Sequence, residues 1–482
     1  MSARAKKSLK GRRAVRGGLA AIVLAAGKGT RMRSSRAKVL HEILGRPLGA
    51  YPIDLARALG ADPVIAVLGH QRAVVEAALA DRFGADAVTV VEQAEQRGTG
   101  HAVRLAMASL KRFTGELVLV LYGDVPLLRR ETLAALVGTA RRYHCLAVVT
   151  ATPPDPTGYG RILRDERGHV ISVVEEKDAS AEERAITEVN AGIYCGPVDF
   201  FREATADLSA RNAQREYYLT DIIARAAEGI GVTAVEADFR DVAGVNDRQQ
   251  LAEAEAVMRG RINRALMAHV TFRDPASTDV EPGVEVGVDV ELGRGVALRG
   301  RTKIGHRARI GDGVILTDTE VGAGVLIRPY SVATEAVIGA GATVGPFAHL
   351  RPGTNIGPDA HIGNFVETKK TTLGRGSKAN HLTYLGDTIV GEKVNIGAGT
   401  ITCNYNGYEK SKTVIEDGAF IGSDSQLVAP VRVGKGAVVG AGTTVQEDVP
   451  AGALVITRGA RIEKPGYAQK VAKKYAAARK TG

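Results

Sequence analysis

The chain has 482 residues, enough for two or three domains, and 45% of them are hydrophobic, which excludes a wholly disordered protein. The net charge of +11 comes from the chain ends, because residues 1–18 and 458–482 together carry a net +14 and the remaining body carries −3. The body is therefore not expected to bind nucleic acid, residues 1–18 are expected to be a disordered extension, and residues 458–482 are expected to be a basic tail.

The compartment is indicated by the cysteines and by the apolar runs. Three scattered cysteines are typical of reduced thiols in a cytoplasmic protein. The basic segment before Leu19–Ala26 superficially resembles a signal peptide, but the apolar run is short and a glycine-rich turn follows it directly. We interpret this run as a buried first strand. No run is long enough to span a membrane, so no stable membrane association is expected.

Short apolar runs alternate with helical patterns from residue 19 onward. The predicted strands are Leu19–Ala26, Val64–Leu68, Val88–Val91, Leu117–Leu121 and Leu146–Thr150. The predicted helices include Gln71–Arg82, His101–Lys111 and Glu131–Tyr143. This alternation predicts a Rossmann-like α/β domain with a mostly parallel sheet and helices on both faces, whose ligands bind at the carboxyl ends of the strands.

The first predicted strand leads into a glycine-rich turn that contains Gly27, Lys28 and Arg31, and Lys38 follows it downstream. Small residues let backbone N–H groups approach a phosphate, and the cations add positive charge. A glycine-rich turn alone is weak evidence, since many are only tight turns. Together with Lys38, however, the segment resembles the nucleotidyltransferase pattern of sugar-phosphate pyrophosphorylases.

Another predicted strand ends in Tyr122, Gly123 and Asp124. An acid at the tip of a buried strand can hold Mg²⁺, which prefers oxygen ligands, or it can simply cap the next helix. We favour the metal because Gln93, Gly98 and other polar or small residues fall at the ends of neighbouring strands. The later segments 158–161, 175–178 and 190–192 match the sugar-binding side of the same family, and Asn246 matches the residue that joins the aspartate on the metal.

A helix is predicted to begin at Asp247, where Asp247 and Gln250 form a pair similar to a capping box. Residues 247–269 are interpreted as a helical linker between the nucleotidyltransferase domain, residues 19–246, and a second domain, residues 270–457.

The second domain carries one apolar residue every six positions. The register runs through Val286, Leu292, Leu298, Ile304, Ile310 and Leu316, through Ile338, Val344, Leu350, Ile356 and Ile362, and through Ile421, Leu427, Val433, Val439 and Val445. A hexad repeat predicts a parallel β-helix, whose short strands bury their apolar residues by stacking coil on coil. The glycine that usually follows is expected to permit the corner. The pattern resembles hexapeptide-repeat acyltransferases, and that resemblance implies a left-handed β-helix.

The hexads lose register at residues 317–337, 366–389 and 403–414. Pattern failures in a regular fold tend to lie at functional sites. His381 lies in the second failure among lysines and a tyrosine, and its neutral imidazole could accept a proton from an attacking amine. A purely structural histidine is the alternative.

Residues 19–465 as a whole resemble the family of bifunctional bacterial N-acetylglucosamine-1-phosphate uridyltransferases / glucosamine-1-phosphate N-acetyltransferases. The resemblance implies acetyl transfer from acetyl-CoA to glucosamine 1-phosphate. Uridylyl transfer from UTP to the product would follow and release pyrophosphate. It further implies a homotrimer and small-molecule substrates, and an output, UDP-N-acetylglucosamine, that is a precursor of the cell envelope.

The resemblance also assigns site residues. Those implied for the uridyltransferase site, with Mg²⁺ on Asp124 and Asn246, are Leu24, Ala25, Ala26, Gly27, Arg31, Lys38, Gln93, Gly98, Thr99, Tyr122, Gly123, Asp124, Gly160, Glu175, Asn190 and Asn246. Those implied for the acetyltransferase site, with His381 as the base, are Arg351, Lys369, His381, Tyr384, Asn395, Ala398, Asn404, Tyr405, Ser423, Ala441 and Arg458. The chain departs from the family at Ala37, where proline is usual, and residues 1–18 have no counterpart.

Three alternatives remain open from the sequence. The first is a pyrophosphorylase of another sugar whose β-helix only oligomerises. The second is a non-catalytic assembly factor, which should have lost Lys38, Asp124 or Asn246, although all three are present. The third is nucleic-acid binding through the basic ends.

Overall fold

The computed structural model describes residues 18–457, 459 and 462–478. All but Gly18 of the expected N-terminal extension therefore lies outside the described residues. The chain divides into two compact units, one that ends at Ile262 and one that begins at Asn263.

The first unit is built on a sheet in the order β11-β7-β10-β6-β1-β4-β5, with β8 and β9 joined to it through β10. Its strands, with the separate hairpin β2–β3, are β1 Leu19–Ala25, β2 Glu42–Ile43, β3 Arg46–Pro47, β4 Val64–Leu68, β5 Thr89–Glu92, β6 Leu117–Tyr122, β7 Leu146–Ala151, β8 Arg161–Arg164, β9 Val170–Val174, β10 Val189–Pro197 and β11 Val232–Glu236. The strands β1, β4, β5, β6, β7 and β11 run parallel, and β10 runs antiparallel between β6 and β7. The prediction of a mostly parallel α/β sheet is confirmed.

Helices cover both faces of this sheet. They are α1 Ala50–Ala58, α2 Arg72–Phe83, α3 Thr99–Ser109, α4 Arg130–Tyr143, α5 Ala181–Arg184, α6 Val198–Ala206, α7 Asp221–Glu228, α8 Phe239–Val242 and α9 Arg248–Leu266. Alternate residues of β1 point to opposite faces, so Val23 packs with α1, α2 and α4, whereas Ile22 packs with α3, α6 and α7. Burying each such side chain contributes about 1.5–3 kcal/mol.

Helix α9 contains the boundary between the two units, and its first turns pack into the first unit. Ala254 is buried, and Leu251 and Met258 pack beside it against a small apolar cluster that includes Leu48 and Tyr51. The first turns of α9 therefore belong to the core of the first unit, although the sequence suggested only a linker over residues 247–269.

The second unit is a parallel β-helix with three ladders of short strands. The first ladder comprises Val270–Phe272, Val290–Leu292, Arg309–Ile310, Leu326–Ile327, Thr343–Val344, the start of His361–Lys369, the start of Lys378–Gly386, Asn395–Ile396, Phe420–Ile421, Val438–Val439 and Leu454–Val455. The second comprises Asp279–Val280, Ala297–Arg299, Ile315–Thr317, Val332–Thr334, His349–Leu350, the ends of the same two long strands, Ile401–Cys403, Gln426–Val428 and Thr444–Val445. The third comprises Glu285–Val286, Lys303–Ile304, Glu320–Val321, Val337–Ile338, Asn355–Ile356, Thr372–Leu373, Thr388–Val390, Thr413–Ile415 and Val431–Val433. The parallel β-helix is confirmed, and its left hand stays a prediction.

The hexad residues fill the interior of the β-helix. Every one of them is buried except Val286, which lies near the start of the repeat and is half-buried. The glycine that follows them serves a different purpose from the expected one. At Gly311, for example, an added Cβ would lie 2.7 Å from the backbone N of Pro329 in the next coil, so close stacking of coils excludes larger residues.

The losses of hexad register have two structural causes. Ile304 pairs with Val321, and Val321 pairs with Ile338, so these coils contain seventeen residues, whereas Val286 pairs with Ile304 eighteen residues away. In the third failure a loop leaves the coil, and Val390 pairs with Ile415. The ladders continue through all three failures, because a shortened corner or an added loop leaves the strands in place.

The C-terminal segment contains a helix, α10 Tyr467–Ala478, which the expectation of a basic tail did not include. Its sequence is rich in alanine and contains neither glycine nor proline, a composition that favours a helix. Among the described residues, no helix is both long and apolar enough to cross a membrane.

Candidate active sites

Four predicted residues of the first unit converge at the carboxyl edge of its sheet. The Lys38 ammonium forms a salt bridge with Asp124, and it also donates a hydrogen bond to Asn246 Oδ1 at 3.1 Å. The Arg31 guanidinium donates to the same oxygen at 3.1 Å. The Asp124 carboxylate and the Asn246 carbonyl oxygen therefore face one point, although 122 residues separate them in the sequence.

Backbone and capping contacts hold this cluster in place. The Val245 N–H donates to the Asp124 carbonyl at 2.8 Å, which ties the segment before α9 to the end of β6. The Asp247 carboxylate caps α9 by accepting from the Gln250 N–H at 2.9 Å, as predicted. The Gln250 side chain, however, accepts from the Asn246 N–H at 2.7 Å rather than from Asp247. The start of the helix thus positions a candidate metal ligand.

A cavity of about 310 Å³ opens on one side of Asp124. Ten predicted residues line it: Leu24, Ala25, Ala26, Gly27, Lys38, Gln93, Gly98, Thr99, Tyr122 and Asp124. We call it the nucleotide pocket. The sequence interpretation did not assign the four other residues of its lining to the site: Val39, Gln96, Ala102 and Glu216. Gln96 donates to the Ala26 carbonyl at 2.5 Å, so it ties the segment after β5 to the residue that follows β1.

Gln93 is buried at the wall of the nucleotide pocket with a defined orientation. Its amide N–H group donates to the Gly98 carbonyl at 3.0 Å and lies 3.3 Å from His101 Nδ1. Burial, with help from Arg104, lowers the pKa of His101, which favours the neutral imidazole that can accept at Nδ1. The Gln93 carbonyl oxygen is then left to accept from a ligand.

A second cavity of about 390 Å³ lies on the other side of Asp124 and shares Thr99, Tyr122 and Asp124 with the first. The remaining predicted residues that line it are Arg31, Gly160, Glu175, Asn190 and Asn246. We call it the sugar pocket. Asn190 donates to the Tyr194 hydroxyl at 2.6 Å and accepts from the Gly192 N–H at 3.0 Å, which fixes its side chain. Tyr159, from the predicted segment 158–161, also lines this pocket, as does Thr220, which the sequence interpretation missed.

The Glu175 carboxylate is buried in the sugar pocket, and its ionised form destabilises the folded protein. Burial raises its pKa, although the Thr220 hydroxyl partly opposes this by donating a hydrogen bond at 2.9 Å. The folded protein therefore binds this proton more tightly than the unfolded chain does. The ionised group opposes folding at neutral pH, and the penalty disappears below the ordinary carboxyl pKa of about 4.3.

We therefore expect Glu175→Gln to raise the melting temperature at pH 7 and to leave it nearly unchanged at about pH 3, where the carboxyl group is protonated in both the folded and the unfolded state. Circular dichroism melts of the variant and the wild type at the two pH values measure this difference. The exposed Glu203→Gln serves as the control and should shift neither melt. A variant that is less stable than the wild type at pH 7 would contradict the conclusion that the buried, ionised Glu175 carboxylate destabilises the folded protein.

The predicted residue Gly123 and the atypical Ala37 both affect the backbone of the first site. Gly123 does not line either pocket, but an added Cβ would lie 3.1 Å from that of Ala25, so its size permits β6 and β1 to end side by side. Ala37 has φ −55° and ψ 138°, which is compatible with proline. The segment before Lys38 therefore reaches the geometry that the usual proline would impose.

In the second unit, three cations gather on the outside of the β-helix. The Lys410 ammonium beside it lowers the pKa of Lys369, with a further contribution from Arg351. Arg351 also forms a salt bridge of 2.7 Å with Glu367. Like charges held this close are stabilised by an anion, so the cluster suits a phosphate. Lys410 lies in the loop after Cys403 and was missed, although the third register failure pointed to that loop.

Tyr384 and Asn404 lie next to this cluster. An added Cβ on Gly386 would lie 2.4 Å from the Tyr384 hydroxyl and 2.8 Å from the Asn404 amide nitrogen, so both groups cover the same backbone. Asn404 donates to Asp387 Oδ2 at 2.6 Å. Tyr405 is exposed on the loop, where its hydroxyl donates to the Gly407 carbonyl at 2.6 Å.

His381 is exposed, and its Nδ1 lies 3.1 Å from Asn364 Oδ1. Because an amide oxygen can only accept, Nδ1 carries the proton and Nε2 keeps its lone pair. This is the tautomer that a general base needs when the substrate approaches Nε2.

The other predicted residues of the second site follow successive coils. The Asp424 N–H donates to the Ala398 carbonyl at 2.7 Å, and the Gly442 N–H donates to the Ser423 carbonyl at 2.9 Å. Ala398, Ser423 and Ala441 thus lie near one corner of successive coils. Asn395 pairs with Lys378 in the first ladder. Arg458 lies outside the described residues.

Both units contain segments that match known protein families. Residues 21–194 match the MobA-like NTP transferase domain, and residues 335–370 and 412–447 match the bacterial transferase hexapeptide (six repeats) family. The chain is 54% identical over 459 residues to the "Bifunctional protein GlmU" of Sorangium cellulosum (strain So ce56), which covers 94% of this chain and 96% of the relative. Proteins of the same name from Anaeromyxobacter sp. (strain Fw109-5) and Pelobacter propionicus are 52% identical over 465 residues and 48% identical over 463 residues. These alignments cover 96% and 95% of this chain, and 94% and 99% of the relatives.

Proposed function

Because the chain belongs to the family of bifunctional GlmU proteins, its two units catalyse consecutive steps of UDP-N-acetylglucosamine synthesis, and we propose the residues that carry each step. The second unit transfers acetyl from acetyl-CoA to glucosamine 1-phosphate. The first unit transfers uridylyl from UTP to N-acetylglucosamine 1-phosphate and releases pyrophosphate.

For acetyl transfer, the amine of glucosamine 1-phosphate attacks the thioester carbonyl while His381 Nε2 accepts the amine proton. The C–S bond breaks, and the proton is then available to the departing thiolate of coenzyme A. Arg351 and Lys369 hold the sugar phosphate, since they are part of the cationic cluster described above. Tyr384 and Asn395 contact the sugar. The acetyl-CoA side is formed by Asn404, Tyr405, Ala398, Ser423 and Ala441, and the family resemblance adds Arg458.

For uridylyl transfer, a phosphate oxygen of N-acetylglucosamine 1-phosphate attacks the α-phosphorus of UTP in line, and the bond to pyrophosphate breaks. The nucleotide pocket holds UTP and the sugar pocket holds the acceptor, because the two cavities meet at Asp124. Lys38 and Arg31 place positive charge at this junction, where negative charge develops. No protein nucleophile is required.

Mg²⁺ fits the same junction. The oxygens of Asp124 and Asn246 both accept from the Lys38 ammonium, so two hard donors already face one cationic position. No group of three or more potential His, Cys, Asp or Glu ligands occurs among the described residues. Mg²⁺ commonly takes one or two protein ligands together with substrate phosphates. When bound, the ion would neutralise charge on the phosphates.

The observation that carries the uridyltransferase proposal is the meeting of two pockets at Lys38, Asp124 and Asn246. For acetyl transfer it is the Nε2 lone pair of His381 near a phosphate-binding cluster. A coupled reaction with glucosamine 1-phosphate, acetyl-CoA and UTP tests both. UDP-N-acetylglucosamine should form only when all three are supplied. Uridylyl transfer without any acetylation would instead support a pyrophosphorylase with a merely oligomerising β-helix.

We also propose a homotrimer. Tyr330, Phe347 and Phe365 form an exposed stack along the β-helix, with ring centroids 5.5 Å and 5.4 Å apart. Such a continuous apolar stripe favours contact between copies. Light scattering should give about three times the chain mass of 50.7 kDa. Phe347→Ser should reduce the trimer fraction, and a monomer that acetylates at the full rate would contradict the proposal.

The location we propose is the cytoplasm. All three cysteines are free, and Cys145 and Cys195 are buried. Free buried thiols fit a reducing compartment.

A further inference from the structure

The hydrogen bond between Asn364 and His381 joins neighbouring coils of the β-helix. The two residues are direct partners in the parallel pairing of strands His361–Lys369 and Lys378–Gly386. The distance between His381 Nδ1 and Asn364 Oδ1 is 3.1 Å. Partners in a ladder are held about 4.8 Å apart by the backbone, so this contact needs no rearrangement of either strand.

The local backbone gives both side chains the same environment. Phe365 and Leu382, the residues that follow them, have φ values of 56° and 45°, so both coils turn at the same corner. One position earlier, an added Cβ on Gly363 would lie 1.9 Å from the Asn380 carbonyl oxygen. The two strands therefore approach as closely as glycine allows directly beside the pair. The Thr383 hydroxyl also bonds to the His381 carbonyl at 2.7 Å, which fixes the histidine backbone.

We propose that Asn364 is a positioning residue for acetyl transfer, which holds the proton of His381 on Nδ1 and keeps Nε2 free to take the proton of the attacking amine. The proposal deepens the function proposed above and rests on His381 as the base. Without Asn364, the ring could rotate, and the proton could reside on either nitrogen. Only part of the population would then present a basic Nε2 in the direction of the substrate.

Several charged or titratable groups lie near His381. Burial lowers the pKa of His361 on the neighbouring strand, and Arg328, Lys378 and His381 lower it further. Lys378 is on the same strand as His381. The strand on the other side, Asn395–Ile396, carries no titratable side chain. Asn364 is uncharged, so exchanging it for an acid introduces a single new carboxylate beside the imidazole.

The test compares Asn364→Ala and Asn364→Asp in the intact chain. Asn364→Ala should lower kcat for acetylation about 10–100-fold, the scale of partners that orient a functional histidine, with the KM for glucosamine 1-phosphate unchanged. Asn364→Asp should restore most of kcat, because a carboxylate also accepts from Nδ1–H. It should also move the acid limb of the kcat/KM profile to higher pH, because a nearby negative charge favours the imidazolium.

Asn355→Ala, at an exposed position of the third ladder, is the matched control and should leave both kcat and the profile unchanged. Wild-type uridylyl transfer and trimer mass establish that each variant is folded. Wild-type kcat in Asn364→Ala, with an unmoved acid limb in Asn364→Asp, would overturn the inference. If the Asn364 variants behave in this way but His381→Ala loses acetylation, the proposed function still stands and only the role of Asn364 is wrong. If His381→Ala acetylates normally, both fail.

Discussion

Replacement of His381 by alanine is expected to lower acetyl transfer about 10²–10⁴-fold, the usual contribution of a positioned general base. The side chain is exposed and fills no hydrophobic core, so the fold and the trimer should persist. Uridylyl transfer from supplied N-acetylglucosamine 1-phosphate should remain at the wild-type rate. Steady-state assays of the two half-reactions, each with its own substrates, measure the separation.

The matched control for this variant is His306→Ala. His306 is also an exposed histidine of the β-helix, but its ring accepts from the Val288 N–H at 3.0 Å and it belongs to neither proposed site. Both half-reactions should remain normal in this control. If His381→Ala retained normal acetylation, the base would lie elsewhere, and the assignment of the second site would have to be rebuilt.

Replacement of Asp124 by alanine is expected to lower uridylyl transfer at least about 100-fold, while acetylation remains intact. The substitution removes the carboxylate that lies at the junction of both pockets and forms the salt bridge with Lys38. It also removes one of the two oxygens proposed for Mg²⁺. The transition state would lose several kcal/mol of charge stabilisation, which corresponds to a decrease in rate of at least about 100-fold.

Asp199→Ala is the control for the loss of an aspartate in the same unit. Asp199 is exposed and pairs with Arg202 three residues along α6, so its removal should change neither activity. Loss of acetylation in Asp124→Ala would mean that the two units depend on each other in a way that the structure of neither unit explains.

The sequence was most informative where a pattern is local. Ile304 and Ile310 are six residues apart and both are buried, because each coil of the β-helix repeats the same three short strands. Likewise, Asp124 could be placed at the edge of the sheet, since a buried apolar strand must end there and parallel strands end together.

The sequence was least informative where a contact depends on the exact length of a coil or on an unexpected strand direction. Asn364 meets His381 because that coil contains seventeen residues, and a coil of eighteen would shift the partner by one. Lys410 reaches Lys369 from a loop whose path no periodicity describes. The antiparallel β10 was not predicted as a strand, because the sequence interpretation recognised only the short segment around Asn190.

The most direct test of two independent sites in one chain is to mix purified Asp124→Ala and His381→Ala. The reaction starts from glucosamine 1-phosphate, acetyl-CoA and UTP, and UDP-N-acetylglucosamine is measured. Each variant alone should produce little, for opposite reasons: the first should accumulate N-acetylglucosamine 1-phosphate, and the second should leave glucosamine 1-phosphate unused. The mixture should restore the pathway, because the intermediate made by one variant can diffuse to the other. A mixture that accumulates N-acetylglucosamine 1-phosphate without forming UDP-N-acetylglucosamine would contradict the account.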